Sequence, residues 1–175
     1  MKKIGVFYWP KGGNVESCAQ RIADRFKNQF EVQIYSLDTI KGLDLPYYDL
    51  VIVGGSTSGA DTWQKGSGDN LWFDFFERLK NAQLHGKPVA IFGLGDQVLY
   101  PDHFVDSMQI IKKEFDLIGA NLVGRWPVEG YYHTNSEAIE DGKFIGLALD
   151  EDQQPELTDQ RIDKWVMQIV NESEL

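Results

Sequence analysis

Cysteine is almost missing from this chain: Cys18 is the only one, so no internal disulfide can form and no cysteine cluster can hold a metal. Histidine is nearly as scarce. His85, His103 and His133 are far apart and show no ligand spacing, so no protein-bound metal is expected. Basic residues are in deficit, 17 against 27 acidic ones, and the formal net charge of −10 would repel nucleic-acid phosphates. No apolar run approaches the roughly 20 residues of a membrane helix. The Met-Lys-Lys start leads straight into a strand pattern rather than a signal peptide. We therefore expect a cytoplasmic protein with no membrane and no nucleic-acid partner, whose acidic surface suits basic protein faces. Glu140, Asp141, Asp150, Glu151, Asp152 and Glu156 gather that charge toward the second half, where a solvated face would explain them equally well.

What is present is globular: 42% hydrophobic and 25% charged residues over 175 positions, enough for one domain spanning residues 1–175. Five short runs read as strands, Lys3 to Tyr8, Glu31 to Tyr35, Leu50 to Gly54, Lys87 to Phe92 and Asn121 to Trp126. Several are apolar at nearly every position, which suits a sheet covered on both faces. Helical periodicity lies between them, over Val15 to Asn28, Leu71 to Lys80, Phe104 to Ile118 and Asp159 to Val170. One stripe comprises Val15, Cys18, Ala19, Ile22 and Phe26; another comprises Phe104, Met108, Ile111, Phe115 and Ile118. Core packing explains these stripes. The alternation implies an α/β fold, a doubly wound five-stranded parallel sheet with helices on both faces. The crossover from Ser36 to Tyr47 lacks a helical stripe, and Pro46 limits any helix there. An insertion at about 127–141, rich in Gly, Tyr, Asn, His and Glu, interrupts the last strand before the strand-like Lys143 to Leu149, and a surface position is its default.

Three loops should converge where the winding reverses, beyond the strand carboxyl ends. The first is Trp9-Pro10-Lys11-Gly12-Gly13-Asn14, a glycine-containing turn that runs into a helix with Asn14 as its expected N-cap. Backbone N–H groups and the helix dipole can hold an anion there. No Gly-Lys-Ser/Thr follows, so this is not a nucleoside-triphosphate loop. The second runs from Gly55 through Ser56, Thr57, Ser58 and Gly59 to Trp63; the third is Gly93-Leu94-Gly95-Asp96-Gln97 with Tyr100. Glycines, hydroxyls, an amide and a terminal aromatic in each of the last two suit a flat polar heterocycle, stacked on its faces and hydrogen-bonded at its edge.

At this point the residues resemble a known family. The Gly93–Gln97 loop followed by Tyr100 and Phe104 looks like the flavin-contacting loop of flavodoxins. The stretch from Gly142 to Asp152, then Leu157-Thr158-Asp159, Arg161-Ile162 and Trp165, is similar to the carboxyl-terminal signature of the long-chain members. Trp126 with Gly130-Tyr131 matches the start of their insertion. The resemblance covers essentially the whole chain. It implies strand order 2-1-3-4-5 with flavin mononucleotide (FMN) at the switch point, as is general for flavodoxins.

It also implies a role: a monomeric, low-potential one-electron carrier between redox proteins, not an enzyme, with no catalytic base or nucleophile. The chemistry would belong to the flavin. Trp9, Pro10, Lys11, Gly12, Gly13, Asn14 and Val15 would surround the phosphate. Ser56, Thr57, Ser58, Gly59 and Trp63 would form the first ring loop; Gly93, Leu94, Gly95, Asp96 and Tyr100 the second, with Tyr100 stacked on the ring. The Ser58-Gly59 peptide would flip when the flavin gains one electron. Asp61, Asp96 and Asp102 would oppose addition of the second.

Two loops depart from the family pattern. Hydroxyl residues usual around the phosphate are replaced by Pro10, Gly12 and Val15, leaving backbone amides, Asn14, Ser17 and Lys11 as donors. Ser58 stands where a Trp would follow Thr57, and Trp63 is expected to take over its stacking. The alternatives are an FMN-dependent quinone or nitro reductase and a cofactor-free flavodoxin-like binding protein. A phosphoacceptor receiver domain would need acidic residues where this chain has Tyr8-Trp9-Pro10.

Overall fold

The computed structural model describes residues 1–58, 60–66 and 70–175. Its centre is a parallel sheet built from β1 (Lys3–Trp9), β2 (Glu31–Ser36), β3 (Leu50–Ser56), β4 (Pro88–Leu94) and β5 (Asn121–Val123), in the expected order 2-1-3-4-5. Ile4 stands beside Val32 on one side and Leu50 on the other, and each strand advances in step from there. Ile4, Val6, Ile52, Val53, Ala90 and Ile91 are fully buried, because helices cover both faces.

α1 (Asn14–Phe26) packs against α4 (Thr158–Glu172) on one face. α2 (Leu71–Leu79) and α3 (Ser107–Asp116) pack together on the other. Each buries the stripe its periodicity marks: Cys18, Ala19 and Ile22 in α1, Trp72, Phe75 and Phe76 in α2, Ile162, Trp165 and Ile169 in α4. Each large side chain so buried contributes about 1.5–3 kcal/mol. Burial, followed by repulsion from Glu151, pushes the Cys18 thiol up to about 12. Asn70 caps α2 by accepting from the Phe73 amide at 3.1 Å. α3 starts three residues later than its stripe, since Val105 adopts a left-handed φ of 51° that no helix continues through. Between β2 and β3 the chain forms only two single-turn 3₁₀ segments, Leu37–Thr39 and Leu45–Tyr47, the second containing Pro46.

The fifth strand position is interrupted as expected, but its first run ends earlier than the expected Asn121 to Trp126. β5 stops at Val123 because Gly124 turns the chain at a φ of 84°, held by Trp165 Nε1 donating to its carbonyl at 2.8 Å. The chain then leaves the sheet and forms a small antiparallel one, β6 (Trp126–Pro127), β7 (Ile139–Glu140) and β8 (Lys143–Phe144), in the order β6-β8-β7. It returns as β9 (Leu147–Leu149). β5 pairs with Pro88 to Ala90 of β4, and β9 pairs with Phe92 to Leu94. Lys143 to Leu149 is thus two strands in two sheets, with Gly146 between them. Nor is the insertion merely superficial: Ala138 and Phe144 are fully buried, and Phe104, Tyr131, His133 and Phe144 form a cluster of rings within 6.4 Å of one another.

Gly146 makes that return possible. A Cβ there would stand 2.1 Å from the Ile91 carbonyl oxygen, a backbone atom that cannot swing aside. In urea unfolding, Gly146→Ala is expected to cost about 3 kcal/mol, at the upper end for overpacking. Gly142→Ala, with open space but a φ of 75°, should cost only about 1 kcal/mol. Equal losses would mean that clearance at Ile91 is not the constraint.

Candidate functional site

Beyond the carboxyl ends of β1, β3 and β4 lies a cleft of about 500 Å³. Its walls come from all three expected loops: Pro10, Asn14 and Val15 from the first, Ser56, Thr57 and Ser58 from the second, Leu94, Gly95, Asp96 and Tyr100 from the third. Three further lining residues, His103, Glu151 and Asp152, were not singled out as site residues by the sequence. His103 had a signal in its nearness to Tyr100. Glu151 and Asp152 arrive through the topology, since they follow β9 where it replaces β5 beside β4.

The first loop is shaped by Glu16. Its carboxylate accepts from the Gly12 amide at 3.1 Å and from the Tyr8 hydroxyl at 2.9 Å. Burial, reinforced by the bond to Glu16, pushes the Tyr8 phenol up to about 12, so it remains a donor. Glu16 thereby fixes the turn that precedes α1, while the helix's own first-turn amides receive no side-chain cap. The N-cap is Gly13, in extended backbone, and Asn14 is the first helical residue, without a capping bond. Gly12 turns at a φ of 83° with open space where a Cβ would stand, and the Trp9–Pro10 peptide is cis. Lys11 does not line the cleft and is ion-paired with Asp38. Ser17 and half-buried Trp9 do not line the cleft.

In the second loop the Thr57 amide donates to the Leu94 carbonyl at 3.0 Å, tying it to the third. Trp63 corrects the expectation of a stacking role at the cleft. It is buried and stacked on Trp72, with ring centroids 4.2 Å apart and an angle of 18°. Gly55 lies against both rings, so the space beneath β3 is filled by this pair and Trp63 does not line the cleft. Gly59, the second half of the expected flipping peptide, lies outside the described residues.

The third loop is an Asx turn: Asp96 accepts from the amides of Val98 at 3.0 Å and Leu99 at 2.9 Å, and from Gln153 Nε2 at 3.1 Å. Burial acts to raise its pKa, but the Leu99, Val98 and Gln153 bonds outweigh it and hold the group below the ordinary carboxylate value. Asp152 moves the other way, raised by burial and by the charges of Asp96, Asp150 and Glu151. The turn leaves Val98, Leu99 and Tyr100 exposed at the rim. Gly93 sits within β4, where a Cβ would meet Met108 at 2.6 Å, so it serves packing rather than the cleft. Asp61 and Asp102 are exposed and do not line the cleft either.

Fully buried Asp150 joins the third loop to the segment after β9. It accepts from the amides of Gln97 at 3.0 Å, Asp152 at 3.1 Å and Gln153 at 2.9 Å. Asp150→Ala would orphan three donors at once, and we expect a loss of about 3 kcal/mol in stability. Amide exchange should speed up at Gln97, Asp152 and Gln153 while the β1 and β3 amides stay protected. Unchanged exchange at those three positions would show that Asp150 does not hold the loops.

The chain was compared with known proteins. The Flavodoxin family model matches residues 6–165. A flavodoxin of Picosynechococcus sp. is 39% identical over 169 residues, which is 97% of this chain and 96% of that protein. One from Klebsiella pneumoniae is 36% identical over 176 residues, 100% of this chain and 97% of the relative. Among solved structures, the Fusobacterium nucleatum flavodoxin bound to flavin mononucleotide superimposes with a TM-score of 0.83 at 28% identity, covering 98% of this chain and 99% of the other. A match over nearly the whole chain, on a sheet of order 2-1-3-4-5 whose last position is split by an insertion, places this protein in the flavodoxin family, with the architecture of its long-chain members.

Proposed function

We propose that this chain carries electrons one at a time between redox proteins by means of FMN held in the cleft. The observation that supports this best is the meeting of three loops at the sheet's switch point around one volume of about 500 Å³, within the range of cofactor sites. The fit is clear at the ring end. Leu94 and Tyr100 offer an apolar face and an aromatic one, and Ser56, Thr57, Ser58 and Gly95 bring hydroxyl and backbone groups to its edge. At the other end the first-turn amides of α1, free of intrahelical partners, would hold the phosphate with the positive pole of the helix.

The flavin supplies the redox chemistry when bound; this chain's residues set the conditions for it. The Thr57-to-Leu94 bond fixes the separation of the two ring loops. Asp96 and Asp152 keep negative charge along the cleft, which opposes a second electron more than the first, while that of Glu151 is balanced by Arg21 at 3.2 Å. No triad or activated nucleophile is required, in keeping with a carrier rather than an enzyme. The exposed rim of Val98, Leu99 and Tyr100, bordered by these carboxylates, suits brief docking of a monomer onto a basic face.

Freshly purified protein should be yellow, and stepwise reduction by dithionite should consume two electrons in two resolved one-electron stages. Colourless protein that takes up no added FMN would overturn the reading. With a basic redox partner, the second-order rate of electron transfer should fall about tenfold or more as ionic strength rises from roughly 0.01 to 0.3 M. A rate indifferent to salt would remove the basic-face proposal while leaving the carrier role intact.

A further inference from the structure

The phosphate end of the cleft is built differently from its ring end. Of its lining residues, Pro10 has no amide hydrogen, and Val15 adds only methyl groups to its backbone amide; Asn14 supplies the one polar side chain from this loop. Gly12 has no side chain, and its amide is already donated to Glu16. Lys11, the one cation in the loop, is committed to Asp38, which also accepts from the Ser36 hydroxyl. No lysine or arginine lines the cleft among the described residues, whereas Asp96, Glu151 and Asp152 do. A phosphate carrying close to two negative charges would thus meet helix amides and one carboxamide, facing carboxylates across the same volume.

We propose that this cleft holds its flavin mainly by the ring, so that unphosphorylated riboflavin binds within about thirtyfold of FMN. This rests on the flavin reading above and adds to it a ligand class, the neutral flavin. The physical basis is the count of charged hydrogen bonds. Each hydroxyl donor to a phosphate is worth about tenfold to a hundredfold in affinity, and Pro10, Gly12 and Val15 provide none. Carboxylates along the cleft reduce what the amides return. The ring contacts are indifferent to the phosphate.

The purified protein would be dialysed to equilibrium against equimolar FMN and riboflavin, and the bound flavins released and separated by chromatography. The expected ratio of bound FMN to riboflavin is below about thirty; a greater preference for FMN overturns the proposal. Val15→Thr returns one hydroxyl to the cleft wall and should raise the ratio by about tenfold. Because both ligands compete for the same folded molecules, any loss of folded protein cancels. A ratio unmoved in Val15→Thr would overturn the assignment of the effect to the missing hydroxyls. Failure to retain either flavin would overturn the proposed function itself, a result that the ratio cannot mimic.

Discussion

The amides and carbonyls of β4 must all be paired inside the protein, and most of this molecule follows from that requirement. β3 serves one side of β4 along its whole length. The other side is shared, with β5 pairing at Pro88 to Ala90 and β9 at Phe92 to Leu94. A chain that leaves the sheet at Gly124 must come back to cover the upper half of β4, and it does so through a gap only a glycine can pass. The return delivers Asp150 beneath the third loop and Glu151 and Asp152 to the cleft wall.

The same return anchors the insertion. Tyr131 donates its hydroxyl to the Ala148 carbonyl of β9 at 2.7 Å and accepts from Trp126 Nε1 at 2.9 Å. Arg161 lies 4.0 Å over the Tyr131 ring and reaches the Gly130 carbonyl, and Gln154 reaches that carbonyl too. The residues that most resembled the family signature, from 142 through Trp165, thus bind the insertion to the sheet and α4. Most of their work is architectural, while Glu151 and Asp152 reach the cleft wall directly.

Helical stripes and the convergence of three loops were legible because each depends on local periodicity or on a topological rule, whereas the strand order came with the family resemblance. Val15, Cys18, Ile22 and Phe26 could be read as one face from their spacing alone. The failures were tertiary. Nothing near Trp63 in sequence reveals that Trp72 will lie 4.2 Å from it. Asn14 looked like a cap because its residue type favours that place, but the helix starts with Gly13 at the N-cap and Asn14 inside the first turn. The buried ring cluster of the insertion escaped notice because its members are spread from Phe104 to Phe144 without a period. Glu151 and Asp152 looked like surface charge until β9 was seen to occupy the upper end of the fifth position.

Cys18 sits at the centre of the α1 stripe, fully buried, with its thiol pushed up to about 12. A thiolate is the reactive form of cysteine, and here almost none exists at neutral pH. An electron carrier meets oxidants in the ordinary course of its work, and a reactive sulfur would divert oxidising equivalents into sulfenic acid or mixed disulfides. By keeping its single sulfhydryl protonated in the core, this protein insulates electron traffic from the thiol–disulfide chemistry of its surroundings.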